Sequence, residues 1–160
     1  MYKPEGIYVA MLTPFHDDGS INEDELRRIV DFQIEAGVGG LFPVSSVGEF
    51  IHMNREEKVR MMAIVMEQNA GRVCVTPGVG SSFPAESIAL AKKAKELGCD
   101  GVVVAPPYFF PQSQENIEKY FEPLRMRWIS PISSITFHYL HNHSLTISSN
   151  VYQDAKILSG

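Results

Sequence analysis

The apolar positions of this 160-residue chain fall into short runs that alternate with longer, helically spaced stripes. Ile7 to Leu12 is the first run, closed by Thr13-Pro14 and the turn Asp17-Asp18-Gly19-Ser20. A stripe of Leu26, Ile29, Val30 and Ile34 follows at helical spacing, with Asn22 as its N-cap, Glu25 three residues on and Gly37 as its stop. Gly40 to Val44 is a second strand. Asn54 caps a second helix, whose Glu56 and Glu57 suit the positive end of its dipole. Val59, Met62, Ile64 and Met66 are its apolar bulk, and Gly71 ends it. Val73 to Thr76 is a third strand. Pro84 opens a third helix, which carries Ile88, Ala91 and Ala94 as far as Leu97-Gly98. Gly101 to Ala105 is a fourth strand, apolar throughout, as expected of a strand covered on both faces. Ser113 starts a fourth helix with Ile117, Tyr120, Phe121 and Leu124.

Each strand–helix unit is about 35 residues long, the span of a strand, a crossover helix and two short loops. The alternation predicts an α/β protein with a parallel sheet and right-handed crossovers. Half of a (β/α)8 TIM barrel fits best, and a small doubly wound sheet is the rival. After Arg125 the texture changes. Met126 to His143 contains no clean strand followed by a turn, and from Ser144 the chain is expected to be helix-like. The expected division is therefore 1–125, a set of βα units; 126–143, an irregular segment; and 144–160, a helix-like remnant.

Composition narrows the function. The balance of 44% hydrophobic and 21% charged residues is that of a soluble globular protein. A net charge of -5 with no basic block argues against a nucleic-acid partner. No apolar run approaches membrane-spanning length, so the cytoplasm is the expected location. Cys74 and Cys99 are expected to be reduced, buried thiols. His138, His141 and His143 match no usual metal spacing, and no metal is expected.

Chemistry concentrates in Pro43 to Phe50, Pro-Val-Ser-Ser-Val-Gly-Glu-Phe. An apolar strand ends there in two adjacent hydroxyls, at the carboxyl end where parallel α/β enzymes keep their chemistry. Ser45 and Ser46 could instead cap the following turn. Glu49 is read as a loop-stabilising carboxylate, with a general base as the alternative. Gly78-Val79-Gly80-Ser81-Ser82 is read as a plain βα turn rather than a phosphate cradle at a helix N-terminus, and Lys92, Lys93 and Lys95 as a solvated helix face.

Several ordered pieces point the same way: Thr13-Pro14-Phe15 with Asp18-Gly19 and Ile21-Asn22; Gly37-Val38-Gly39-Gly40-Leu41; Ser45-Ser46-Val47-Gly48-Glu49-Phe50; Glu56-Glu57-Lys58; Gly78-Val79-Gly80; Ala91-Lys92-Lys93-Ala94 through Gly98-Cys99-Asp100-Gly101; and Pro107-Tyr108-Phe109-Phe110-Pro111. From about Gly6 to Leu124 they resemble, in order and spacing, the dihydrodipicolinate synthase/N-acetylneuraminate lyase family of pyruvate-dependent (β/α)8 enzymes. The resemblance implies a Schiff base between pyruvate and a lysine on strand six, with no cofactor. That imine is an electron sink for carbon–carbon bond formation or cleavage between pyruvate and an aldehyde. It implies that Ser46 binds the pyruvate carboxylate and relays protons. Val47 stands where a second hydroxyl is usual, leaving only its backbone N–H as a contact. Thr13 lines the same strand-end face. Phe109 falls where many members place a relay tyrosine, so either Tyr108 substitutes or that relay is absent.

The family's Tyr-Asn-x-Pro segment should fall within 126–143 and is missing; Tyr139 lies in the wrong context. Out-of-frame translation is one account, since a shifted reading of the possible codons for Met126 to Asn142 permits Ile-Pro and Tyr-Asn-x-Pro in the expected order. Lys156-Ile157-Leu158-Ser159-Gly160 resembles the lead-in to the imine lysine, which would come just past Gly160; Lys156 itself stands too early. The resemblance thus implies the first four to five βα units of a pyruvate-dependent aldolase or lyase, acting on pyruvate with an aldehyde or a 2-keto-3-deoxy acid. A synthase of lysine biosynthesis and a sugar-acid aldolase both remain open, as does homo-oligomerisation. The polypeptide alone is expected to be inactive, and poorly soluble or dimeric. A non-catalytic reading, a truncated product or a half barrel that pairs with another chain, stands beside it.

Overall fold

The computed structural model describes residues 5–108 and 110–127, together with 134–137 and 145–148. Four strand–helix pairs follow one another: β1 (Tyr8–Ala10) and α1 (Glu23–Glu35), β2 (Gly40–Phe42) and α2 (Arg55–Asn69), β3 (Cys74–Val75) and α3 (Pro84–Glu96), β4 (Val102–Val104) and α4 (Gln114–Arg127). Two further strands, β5 (Ser134–Phe137) and β6 (Leu145–Ser148), come after them.

The helices begin where the polar signals sit. Asn22 accepts a hydrogen bond from the Glu25 N–H at 3.1 Å and caps α1. Asn54 and Glu57 complete a reciprocal capping box on α2. Pro84 occupies the first turn of α3, where its missing N–H costs nothing. Gly37, Gly71 and Gly98, all at positive φ, lie just beyond the ends of α1, α2 and α3.

The strands are parallel and lie side by side in chain order. β1 pairs with β2 (Val9 opposite Leu41) and β2 with β3 (Leu41 opposite Val75). A parallel bridge from Gly78 to Val103 carries the series on to β4, and β4 pairs in parallel with β5. A doubly wound sheet would reverse its strand order at a switch point; this series does not, which is the winding of a (β/α)8 protein. The helices pack in the same succession, α1 on α2, α2 on α3 and α3 on α4.

The core lies between this helical layer and the sheet. It holds Met11, Leu41 and Val75 from the sheet side with Leu26, Met61, Ile64, Leu90 and Phe121 from the helices. In α2, Met61 and Val65 are buried as completely as the expected Met62 and Ile64, whereas Val59 and Met66 are only partly covered. β4 is covered less evenly than expected. Val102 and Val104 are buried, but Val103, which points to the opposite face, is half-buried.

The chain beyond α4 departs from expectation. β5 falls inside the stretch read as irregular, and Leu145–Ser148 is a strand where helix-like structure was expected. β6 runs antiparallel to β5, with Ile135 opposite Ile147. The physical reason is visible in the residues. Ser-Ile-Thr-Phe and Leu-Thr-Ile-Ser each alternate apolar and polar side chains and are rich in β-branched residues, a two-residue period too short to stand out beside its neighbours. Tyr139, Lys156 and the three histidines of 138–143 lie outside the described residues.

Candidate functional site at the carboxyl ends of the strands

The loop from Pro43 to Phe50 leaves the carboxyl end of β2 and leads, through a 3-10 turn at Phe50–His52, to the capped start of α2. Two of its residues adopt left-handed backbone: Val44 and Glu49, both at φ 57°. For a β-branched side chain this is an uncommon, strained state, held only where the surroundings over-determine it.

The adjacent hydroxyls at this strand end have opposite fates. Ser45 is buried; its Oγ donates to the Met11 carbonyl at 3.1 Å and accepts from the Gly48 N–H at 3.2 Å. This is the turn-capping alternative, realised for Ser45. Ser46 is exposed, with no hydrogen bond to its hydroxyl or N–H among the described residues. Val47 follows with 55% of its surface exposed, and its N–H is likewise unpartnered among the described residues. Ser46 and Val47 thus face outward together.

Thr13, at the carboxyl end of the β1 segment, is close to this loop but engaged with it rather than open to solvent. It is buried, and its Oγ1 donates to the Gly48 carbonyl at 2.7 Å. Met61 Sδ and Met53 Sδ lie 3.4 and 3.9 Å from the same oxygen. Tyr108, beyond β4, is 43% exposed and meets Phe50 edge-to-face, with ring centroids 5.5 Å apart. Phe109 lies outside the described residues. The carboxylate of Glu49 makes no hydrogen bond among the described residues, so it does not stabilise the loop that way.

Lys58, Arg55 and Glu86 carried no assigned role at the loop from the sequence. Lys58 of α2 holds its amine 5.5 Å from the Phe50 ring centroid, and burial pushes its pKa down while the Glu86 charge pulls it back up. Arg55 grips Glu86 in a two-armed ion pair joining the N-terminal turns of α2 and α3. The helical positions of these residues were legible, but nothing local to either helix says that the two helix starts are neighbours. Lys92, Lys93 and Lys95 are exposed on α3, as expected. In the Gly78-Val79-Gly80 segment two N–H groups are spent within the sheet region, Gly78 on Pro43 O just beyond β2 at 2.8 Å and Val79 on Val103 O of β4 at 2.8 Å. Those two donors are therefore not turned to a phosphate. Among the described residues no three His, Cys, Asp or Glu side chains cluster as a metal site, and no helix is long and apolar enough to cross a membrane.

Parallel βα units wound without reversal define a barrel-type α/β protein, and the exposed serine and free backbone N–H groups on the loop after β2 mark the strands' carboxyl ends as the candidate site. Residues 3–125 match the dihydrodipicolinate synthetase family, and the chain belongs to that family. It is 42% identical over 120 residues to 4-hydroxy-tetrahydrodipicolinate synthase of Pelobacter propionicus, covering 75% of this chain and 41% of that protein. It is 39% identical over 127 residues to an uncharacterised DapA-like lyase of Thermofilum pendens, covering 79% and 42%. Among solved structures it resembles N-acetylneuraminate lyase from Mycoplasma synoviae, with a TM-score of 0.78 and 33% identity over 86% of this chain and 46% of that one. It also resembles YagE, a prophage protein of the dihydrodipicolinic acid synthase family from E. coli K12 solved in complex with pyruvate, with a TM-score of 0.75 and 32% identity over 82% and 43%. The chain therefore spans less than half the length of the relatives it matches.

Proposed function

We propose that residues 1–125 form the carboxylate-binding part of a Schiff-base aldolase or lyase site that joins pyruvate to, or releases it from, an aldehyde or 2-keto-3-deoxy acid partner. The observation that carries this reading is the outward pairing of the Ser46 hydroxyl with the Ser46 and Val47 N–H groups at the strands' carboxyl rim. Unpartnered N–H donors next to a hydroxyl suit the carboxylate of a 2-keto acid, which accepts charge-assisted hydrogen bonds. In this reading Ser46 is also the proton-carrying group, and Tyr108 is the second hydroxyl able to move a proton at the rim. Thr13 contributes as part of the loop's support. The end of the family match at residue 125 supports the division of the chain there.

The imine of this family needs a lysine on the sixth strand, and the family match ends at residue 125, before any such strand. In this reading the 160-residue polypeptide by itself forms no imine with pyruvate. Pyruvate and borohydride should leave its mass unchanged; a pyruvate adduct on any of its lysines would overturn this. Amide NMR under pyruvate titration tests the binding half: the Ser46 and Val47 signals should shift, weakly in Ser46→Ala. Unmoved signals at both positions would end the carboxylate assignment.

A second reading is favoured by one observation. Among the described residues β1 pairs only with β2, and the flanking Ile7 and Leu12 are 74% and 57% exposed. An open, apolar strand edge is a template for pairing with another polypeptide. As a half barrel the chain would elute as a dimer or larger species in size-exclusion chromatography, and a dilution-resistant monomer would refute this reading.

A further inference from the structure

We infer that Thr13 is a positioning residue for the pyruvate loop, acting through the Gly48 peptide rather than by touching substrate; this rests on the proposed role of Ser46 and Val47. The Gly48 peptide is held from both sides. Its carbonyl accepts the Thr13 hydroxyl at 2.7 Å, and its N–H is shared between the Ser45 carbonyl at 3.1 Å and Ser45 Oγ at 3.2 Å, the latter in turn donating to Met11 O. A hydroxyl carries one proton, and the Gly48 carbonyl is the nearest acceptor to Thr13, so the two methionine sulfurs serve as packing around a donor already in use.

Glycine is what allows the clamp. A Cβ at residue 48 would stand 2.6 Å from Met11 O and 2.9 Å from Thr13 Oγ1, the two groups that close on the peptide. With Gly48 drawn against the end of β1, residues 46 and 47 form the outer bend of the loop, which turns their N–H groups away from the core. Ser45 and Thr13 spend their hydroxyls inward so that Ser46 can spend its own outward. Thr13 lies 35 residues from Gly48 in sequence, so the clamp ties the β1 and β2 ends together at the point where pyruvate binds.

Two substitutions separate the clamp from simple packing. Thr13→Val keeps the side-chain volume against Met53 and Met61 and removes the hydroxyl; Thr13→Ser does the reverse. The measurements are pyruvate affinity and amide hydrogen exchange at Val47, Gly48 and Glu49 in the 160-residue chain, with circular dichroism confirming the folded state. Thr13→Val should weaken pyruvate binding about tenfold, roughly the effect of one lost hydrogen bond, and accelerate exchange in the loop, while Thr13→Ser retains both properties. If Thr13→Ser is as impaired as Thr13→Val, or if Thr13→Val leaves loop exchange unchanged, the clamp is wrong. Should the unsubstituted chain bind no pyruvate, the functional reading fails, and the exchange data alone still decide the clamp.

Discussion

The carbonyl of Val44 lies 2.1 Å from where a Cβ on Gly78 would stand, so the loops that follow β2 and β3 meet backbone to backbone. The Gly78 N–H donates to Pro43 O at 2.8 Å across the same contact. Val44 is held here at φ 57°. The strained residue is therefore fixed by its neighbour loop, and the course of Ser45 and Ser46 depends on that contact.

Gly78→Ala should destabilise the chain by about 2 kcal/mol or more, because the clash is with backbone, which has no rotamer to change. Chemical denaturation read by circular dichroism measures it. Gly37→Ala is the useful comparison: space is open there, and the cost comes from its positive φ alone. A smaller loss at residue 78 than at residue 37 would contradict the close approach.

Glu86 contributes an acid limb to stability. Its hydrogen bonds and ion pair with Arg55 hold its carboxyl below the ordinary value of 4.5, and the half-buried Lys58 amine adds to the effect. A carboxylate whose folded pKa is depressed stabilises fully above its unfolded pKa and loses that contribution as pH falls through the folded value. Glu86→Gln should thus lower stability at pH 7 and flatten its fall below pH 4.5. Parallel pH profiles for the two proteins would show that the pair contributes nothing, as many exposed ion pairs do.

Cys99 should resist alkylation in the folded chain. It is 7% exposed, and burial, reinforced by the neighbouring Asp100 charge, pushes its thiol up to about 12. At pH 8 almost none of it is thiolate, the reactive form. Iodoacetamide followed by mass spectrometry should label it only after denaturant is added. Rapid native labelling of Cys99 would show that α3 and β4 do not close over it.

The four strand–helix pairs were legible because their signals are local, whereas the order of the strands was settled only by their pairing. Asn22 and Asn54 are caps by virtue of their own side chains, and Gly37, Gly71 and Gly98 stop helices through their own backbone freedom. The β5–β6 pair was missed for the opposite reason. Four-residue strands carry too few positions for a two-residue period to be told from accident, and only their pairing reveals them.

The sequence by itself determined the alternation of strand and helix, the family, and the octapeptide in which the chemistry is sought. The family resemblance singled out Ser46 by its place in the loop, but only the tertiary structure supplies the physical cause that turns one hydroxyl out and the other in. Ser45 and Ser46 are indistinguishable as residues, and Thr13 carries no mark of the face it will take. What separates them is the path of the loop across the end of β1, set by the Gly48 peptide seated against Met11 and Thr13 and by Val44 pressed on Gly78. Those contacts join residues some 35 positions apart, and a hydroxyl's role follows from the partner the fold brings to it.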